Sequence, residues 1–363
     1  MSIKSEILIV QRFYYNFREG FFSYLQMQIK FKLINSLKSR GRVIVHQDNL
    51  NKDYFYRVLH FFCGQNYVIF PFLIFSLIKL NPKIIITEGG QNTINNLQVY
   101  LYCKLFKKQF ILWDLGKGYQ DFGSSIIRNI YMFFYEFVAK NAKFVYTYNS
   151  LGKKYFIGIN VPENKIVILN NTIDTISVNK TRRQNVFQIP PEIKSYNENL
   201  IYIIFVGALL PSKNLEILPG ILKRLGFNYC LLMIGDGEKK YVNKLKESFI
   251  GTNCIFCGYK KINELTNYYQ IASFSILPGL GGLTINQSMA FGVPVLCRSA
   301  DGAEVDLVSD NITGYIYKNI DDLVEFVKSK TKADWSLMGR NAEKKLYKDF
   351  SIENQTSIFL KYL

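Results

Sequence analysis

Ile201-Tyr202-Ile203-Ile204-Phe205-Val206-Gly207-Ala208-Leu209-Leu210-Pro211-Ser212-Lys213-Asn214 is the stretch on which the fold turns. Its first six residues are β-branched or aromatic without alternation. That is the pattern of a strand covered on both faces, as in a parallel sheet. Gly207 closes the strand, and a helical pattern over 214–225 follows. The same unit then recurs. A strand at 229–234 ends in Gly235-Asp236-Gly237-Glu238 before a helix at 241–249. A strand at 254–256 ends near Gly258 before a helix at 263–272. A strand at 274–277 runs into Pro278-Gly279-Leu280-Gly281-Gly282-Leu283-Thr284, then a helix at 286–291 and a strand at 294–297. Such alternation predicts a doubly wound parallel α/β sheet.

Upstream, the alternation occurs a second time. Strands are expected at 7–10, 43–45, 84–87, 110–113, 144–148 and 166–169, with helices over 18–39 and 124–140. A polar stretch at 177–199, carrying Thr181-Arg182-Arg183-Gln184 and Pro190-Pro191, has linker character. Residues 334–363 have helical spacing and no strand. A chain of 363 residues is long for one domain. We therefore expect a first Rossmann-like domain at 1–180, a linker at 181–199, a second at 200–340 and a helical tail at 341–363.

Hydrophobic residues make up 48% and charged residues 20%, enough apolar surface for sizeable cores and unlike a disordered chain. With Gly 24 and Pro 9, collagen-like and proline-rich architectures are excluded. No apolar run reaches the length of a spanning helix. The nearest, 67–78, contains Pro71 and reads as a core or interfacial segment. The N-terminal residues lack a signal-peptide pattern, so a cytoplasmic location is expected. Six scattered cysteines make no disulfide framework, and Cys254-x-x-Cys257 without a second pair is expected to be structural.

Charge divides the chain. Residues 1–185 hold 25 Lys/Arg and 10 Asp/Glu, a net +15. The remainder holds 20 and 18, a net +2. The first half calls for a polyanionic partner. Phe13, Tyr14, Tyr15, Phe17, Phe21, Phe22 and Tyr24 crowd between Arg12 and Lys30. Tyr54, Phe55, Tyr56, Phe61 and Phe62 surround Arg57, and Tyr131, Phe133, Phe134, Tyr135 and Phe137 lie between Arg128 and Lys140. Mixed rings and cations suit an anionic membrane surface. No nucleic-acid signature accompanies them. Rings in the core beneath a solvated charged face is the plainer alternative.

In the second half, strand–glycine–helix junctions recur at Gly207 with Lys213, at Gly235-Asp236-Gly237, at Gly258 with Tyr259, and at Gly279 to Thr284. Open α/β sheets bind ligands at the carboxyl ends of their strands, where glycines admit a phosphate and helix N-termini supply N–H donors. A nucleoside diphosphate fits this pattern.

These residues resemble the retaining glycosyltransferases of family 4, the group 1 transferases of GT-B fold. Gly207-Ala208-Leu209-Leu210-Pro211-Ser212-Lys213 is similar to that family's G-R-L-x-x-x-K motif. Ile234 to Glu238 is similar to its I-G-x-G-x turn. Pro278 to Pro294, PGLGGLTINQSMAFGVP, resembles its E-G-F-G-L-x-x-x-E-A-M-A-x-G-x-P signature, and Asn311 to Tyr315 resembles the segment after it. Upstream, Val145 to Tyr148 and Asn170 to Asp174 resemble motifs that precede the interdomain linker. Tyr15-Asn16-Phe17-Arg18, with Phe22 and Leu25, looks like the start of some polysaccharide-assembly members.

The resemblance implies two Rossmann-like domains facing a cleft, with the C-terminal helix crossing back. It implies metal-independent transfer of a hexosyl or related sugar from a nucleoside diphosphate sugar, with no further cofactor. The acceptor would be a lipid-linked or other glycan in surface-polysaccharide assembly, on the inner face of the cell membrane. Lys213, Asp114 and Gln287 would be catalytic. Gly207, Lys213, Gly235, Asp236, Gly237, Gly258, Tyr259, Gly279, Gly281, Gly282, Leu283, Thr284 and Gln287 would bind the donor. Arg18, Trp113 and Gly116 would bind the acceptor, with Arg18 either on an anionic group or facing lipid. The family's two glutamates fall on Gly279 and Gln287, its motif arginine on Ala208, and its N-domain histidine is replaced within Trp113-Asp114-Leu115-Gly116. Lys260, Lys261 or Arg298 is a candidate to compensate for the arginine. A weak homologue acting as a scaffold and a sugar-nucleotide 2-epimerase are the alternatives.

Overall fold

A computed structural model describes residues 6–36, 52–63, 67–116, 125–300 and 302–363. The chain forms two compact units, one of Met1–Asn170 with Gln355–Leu363, the other of Asn171–Asn354.

In the first unit β1 (Ile7–Phe13) is buried at every position. It lies between β2 (Phe31–Ser36) and β5 (Ile84–Glu88), parallel to both. Helix α1 (Glu19–Gln28) joins β1 to β2 and buries Phe21, Phe22 and Leu25. Of the helix expected over 18–39, residues 19–28 are helical and 31–36 are strand, and 37–39 lie outside the described residues. Ile29 turns extended, and Phe31, Leu33 and Ile34 are buried against β1. Pairing five residues to a central strand outweighs helix propensities of a few tenths of a kcal/mol per residue. The strand expected at 43–45 lies outside the described residues.

A hairpin of β3 (Phe61–Cys63) and β4 (Tyr67–Ile69) leads into α2 (Leu73–Leu80), which ends at Asn81 with φ 46°. Then follow α3 (Thr93–Leu105), β6 (Gln109–Asp114), α4 (Ser125–Asn141), β7 (Phe144–Thr147), α5 (Ser150–Gly158) and β8 (Ile166–Ile168). The parallel sheet has the order β2-β1-β5-β6-β7-β8. Right-handed crossovers put α2, α3 and α4 on one face. There Leu73, Leu77, Val99, Tyr102, Tyr135 and Val138 share one core with Leu8, Val10, Ile85 and Leu112. On the other face Phe21 meets Trp113 and, from the returning C-terminal segment, Phe359, at ring separations of 5.5 and 5.4 Å. Most of the aromatic run from Phe13 to Tyr24 is therefore core. Phe13, Tyr14, Phe21 and Phe22 are buried, as is Tyr54.

The second unit opens with α6 (Thr175–Gln184), capped by Asp174, which accepts from Ser177 N at 2.9 Å. The stretch expected to be a linker is therefore helical as far as Gln184, because Val178 packs into the unit's core. Then come β9 (Ile201–Val206), α7 (Leu218–Leu225), β10 (Tyr229–Ile234), α8 (Lys239–Ser248), β11 (Cys254–Gly258), α9 (Ile262–Ile271) and β12 (Ala272–Leu277). They are followed by α10 (Leu283–Ala290), β13 (Val295–Cys297), α11 (Ala303–Leu307), β14 (Gly314–Ile316), α12 (Ile320–Lys328), α13 (Lys332–Asp349) and α14 (Ile352–Lys361), whose last residues rejoin the first unit. Helix α7 starts later than its expected 214 because Asn214 is left-handed, with φ 52°. The second parallel sheet has the order β11-β10-β9-β12-β13-β14. Numbered within the unit this is 3-2-1-4-5-6, the doubly wound order with a switch point between its first and fourth strands.

Candidate functional site

That switch point lies between the carboxyl ends of β9 and β12. At the end of β9, Gly207 N donates to Ile234 O at 3.0 Å, and Leu209 N donates to Asp236 O at 2.9 Å. The chain then makes a tight turn at Pro211–Lys213. Opposite, the segment after β12 lies directly on this turn. Leu280 N donates to Ser212 O at 3.3 Å, and Lys213 Nζ donates to Leu280 O. Gly279 makes the approach possible: a Cβ there would stand 2.5 Å from Ser212 O and 2.6 Å from the Lys213 carbonyl carbon. The position of the family's first glutamate is thus filled by backbone of the lysine turn.

Helix α10 begins at the same place. Gly282 is its N-cap residue and offers no side-chain cap. Thr284 N and Ile285 N bond only weakly backward, at 3.3 Å, to Gly281 O and Gly282 O. Thr284 Oγ1 is 3.9 Å from the point where a Gly207 side chain would start. Gln287 follows Leu283 and Thr284 by one turn, on their face of α10, and is half-buried. Gly207, Lys213, Gly279, Gly281, Gly282, Leu283, Thr284 and Gln287 therefore converge.

Asp236 and Gly237 are beside them through the bridge between Leu209 and Gly237. Gly235 N donates to Gly258 O at 2.9 Å, which links the group to the edge strand, where Tyr259 is 72% exposed. Of the candidate compensating cations, Lys260 is committed elsewhere: its Nζ is 2.6 Å from Glu192 Oε1 in a mostly buried pair. Arg298 is exposed just beyond β13, the neighbour of β12. Sequence reasoning missed Glu304, a buried carboxylate that accepts from Ala300 N at 2.7 Å and Gly302 N at 3.0 Å and so fixes the loop after β13.

The first unit has its own switch point, between β1 and β5. Here Arg12 Nη2 is 2.6 Å from Glu88 Oε1, and Arg12 N donates to Glu88 Oε2 at 2.9 Å. Gln91 and Tyr15 complete the cluster: Arg12 donates to Gln91 Oε1, and Tyr15 OH donates to Glu88 Oε1 at 3.1 Å. Burial works to raise the Glu88 carboxyl, but the adjoining guanidinium outweighs it and holds the group below its ordinary range.

Arg18 is close by and only 5% exposed, so it does not face lipid. Its guanidinium lies 4.2 Å from the Trp113 ring centroid and donates to Tyr148 OH. Its Nε and Nη1 have no hydrogen-bond partner among the described residues. Burial first, then the carboxylates of Glu88 and Asp114, push the Tyr148 hydroxyl up to about 12 against the opposing pull of Arg18 and Arg12. Asp114 is buried at the end of β6 and accepts from Gly116 N at 3.1 Å. Arg18, Trp113, Asp114 and Gly116 thus meet in one region of the first unit. Arg12, Glu88 and Gln91 belong to the same region; Arg12 stood out in the sequence only as a bound of the aromatic cluster, and Glu88 and Gln91 not at all.

Among the described residues no group of three or more His, Cys, Asp or Glu is arranged to hold a metal ion. Burial pushes the thiols of Cys230 and Cys257 up to about 11 and 12, and that of Cys254 higher still.

Residues 188–337 match the family model described as glycosyl transferases group 1. Over 134 residues the chain is 31% identical to a lipopolysaccharide 1,2-N-acetylglucosaminetransferase of Salmonella typhimurium, covering 32% of this chain and 35% of that protein. Over 140 residues it is 30% identical to an uncharacterised glycosyltransferase of Methanocaldococcus jannaschii, covering 36% and 38%. The matched stretches thus span little more than a third of these curated relatives. Among solved structures, HepE of Anabaena in complex with UDP aligns with a TM-score of 0.72 at 14% identity over 98% of both chains. The lipopolysaccharide outer core galactosyltransferase WaaB aligns with a TM-score of 0.67 at 15% identity, again over 98% of both. The fold is that of the GT-B glycosyltransferases, and the group 1 resemblance stands over residues 188–337.

Proposed function

We propose that the chain is a retaining glycosyltransferase. It moves a hexosyl or related sugar from a nucleoside diphosphate sugar to a lipid-linked or oligosaccharide acceptor in bacterial surface-polysaccharide assembly. The observation that carries this reading is the meeting of Gly207, the Lys213 turn and the start of α10 at the switch point of the second sheet. That arrangement suits a diphosphate: a cation, N–H groups that bond weakly within the protein, and a helix N-terminus act on one small volume. The UDP bound to the structurally similar HepE makes a uridine nucleotide the first donor to try.

In the proposed reaction the anomeric C–O bond to the diphosphate breaks. Negative charge grows on the departing phosphate oxygen, where Lys213 and the N–H groups of Leu283 and Thr284 stabilise it. The acceptor hydroxyl forms its bond to the anomeric carbon on the same face and passes its proton to that phosphate oxygen. Neither a general base nor a metal ion is called for in this scheme. Asp114, Trp113, Arg18 and Gly116 serve the acceptor, with Arg18 facing an anionic group through the donors it has left over. Acceptors of this type reside in the inner leaflet. No helix among the described residues is long and apolar enough to cross a membrane, and we propose peripheral attachment.

The test is thermal stabilisation by UDP-, GDP-, ADP- and dTDP-sugars, in wild type and Lys213→Ala. At about 100 times the dissociation constant the wild type gains about 2.7 kcal/mol. The variant should lose most of this, and roughly 3 kcal/mol of transition-state stabilisation besides. Stabilisation by no nucleotide sugar would favour the second reading, a scaffold homologue. Ala208, Gly279 and Gln287 at the family's charged positions support that reading. Product analysis of donor incubated without acceptor separates both from an epimerase.

A further inference from the structure

Helices α2, α3 and α4 are apolar on both sides. Their inner sides supply the core of the first unit through Leu73, Leu77, Val99, Tyr102, Tyr135 and Val138. Their outer sides are apolar as well. Phe75 on α2 is 65% exposed, Leu105 on α3 is 65% and Phe133 on α4 is 66%. Each has exposed apolar neighbours at helical spacing: Phe72 and Ile78, Leu101, and Ile130 with Phe137. Large apolar side chains exposed at helical spacing, on the side turned away from the core, call for a further partner.

The exposed stripes form one surface. Helix α2 packs on α3 and α3 on α4, and Tyr100 meets Phe137 edge to face at 5.1 Å. Exposed apolar side chains clustered on adjoining helices mark a contact site on a protein surface. The charge on and beside this surface is mostly positive. Lys79, Lys104, Arg128 and Lys140 are on the helices, and Lys107, Lys108 and Lys143 are in the segments that follow them. Glu136 is the one acidic residue in the three helix sequences, and it is paired with Lys140 at 3.0 Å.

We propose that this three-helix face seats the first unit on an anionic lipid leaflet, with Phe75, Leu105 and Phe133 entering the headgroup–acyl boundary and the lysines meeting lipid phosphates. The proposal rests on the reading above that the acceptor is lipid-linked, and it names the surface that reading requires. The sequence pattern drew attention to the rings at 13–24, most of which are core, and to those at 131–137, of which Phe133, Phe134 and Phe137 are exposed. Side chains at 72–78 and 101–106 extend that outward surface. Aliphatic residues such as Ile78, Leu101 and Ile130 cannot stack on bases, which argues against single-stranded nucleic acid as the occupant. A second copy of the same face would bring like charges together.

The experiment is co-sedimentation of the full chain with vesicles, either phosphatidylcholine alone or phosphatidylcholine with a quarter phosphatidylglycerol. Wild type should bind the anionic vesicles and remain in solution with the neutral ones. A Phe75→Ser, Leu105→Ser, Phe133→Ser variant should bind at least tenfold less. Lys104→Ser, Lys107→Ser and Lys108→Ser should each weaken binding by roughly fivefold. Stabilisation by the nucleotide sugar that protects wild type is read on the same variants and should be unchanged, which separates a lost surface from a lost fold or donor site. Equal binding by wild type and the triple Ser variant overturns the proposal. So does wild-type binding to neither vesicle, or a wild-type dimer that the triple variant abolishes. If transfer to a short-chain, water-soluble acceptor persists in any of those cases, the enzymatic reading survives while the docking surface falls.

Discussion

Glu88 and Arg12 show what a single residue can hide. They are 76 positions apart and form a buried, doubly bonded pair at a switch point. A glutamate within a β-branched run gives no sign of where its partner lies, whereas Lys213 and the glycines around it are local in sequence and were legible for that reason. The depressed Glu88 carboxyl carries a pH prediction. A group with a lowered folded pKa stabilises the protein above its ordinary, unfolded value, and that contribution is lost as pH falls toward the folded value. Wild type should therefore lose thermal stability as pH drops below the ordinary carboxylate range. Glu88→Gln leaves the Arg12 charge buried without its carboxylate and should cost about 3–5 kcal/mol near neutral pH. The gap between the two melting temperatures should close on acidification, as wild type loses the same charge. A gap independent of pH would mean that the Glu88 charge contributes nothing to stability.

At the scale of elements, strands with uninterrupted apolar runs were legible, and β2 and β14 were not. β9 and β10 stand out in the sequence because both their faces are buried. β2 was absorbed into an expected helix, since helical and strand periods both fit its mixed polar and apolar residues until β1 supplies a hydrogen-bonding edge. β14, Gly314-Tyr315-Ile316, lacks the apolar run of the equally short β8 and β13 and is set by its place beside β13. Gly339 gives a prediction here. It is in the middle of α13, where glycine costs about 1 kcal/mol relative to alanine. The structure supplies the reason: a Cβ on Gly339 would collide with Gly292 O, in the turn that ends α10, and the Pro294 ring is next to it at 3.4 Å. Since α10 starts at the proposed diphosphate site, α13 acts as its backstop. Gly339→Val should destabilise the second unit by about 1–3 kcal/mol through overpacking. Chemical denaturation reads this directly, and unchanged stability would show that the two elements separate freely.

For the whole molecule, the two-unit fold was legible from one repeated local pattern, because doubly wound sheets announce themselves strand by strand. Charge sets the two halves apart: the half with net +15 contains the exposed apolar three-helix face, and the half with net +2 contains the proposed donor site. What the sequence could not assign was which rings are core, since burial is a property of the assembled sheet and not of composition. The division makes a prediction that hydrogen exchange can test over the full chain. Backbone amides exchange slowly where a bound ligand holds them. The uridine nucleotide alone should protect 207–214, 235–238 and 279–287, and leave 12–18 and 113–116 unchanged. Anionic vesicles alone should slow exchange at 81–83, 106–108 and 141–143, which follow α2, α3 and α4, and leave the second unit untouched. Protection of 113–116 by nucleotide without acceptor would mean that Trp113 and Asp114 belong to the donor, and the roles assigned to the two units would have to be redrawn.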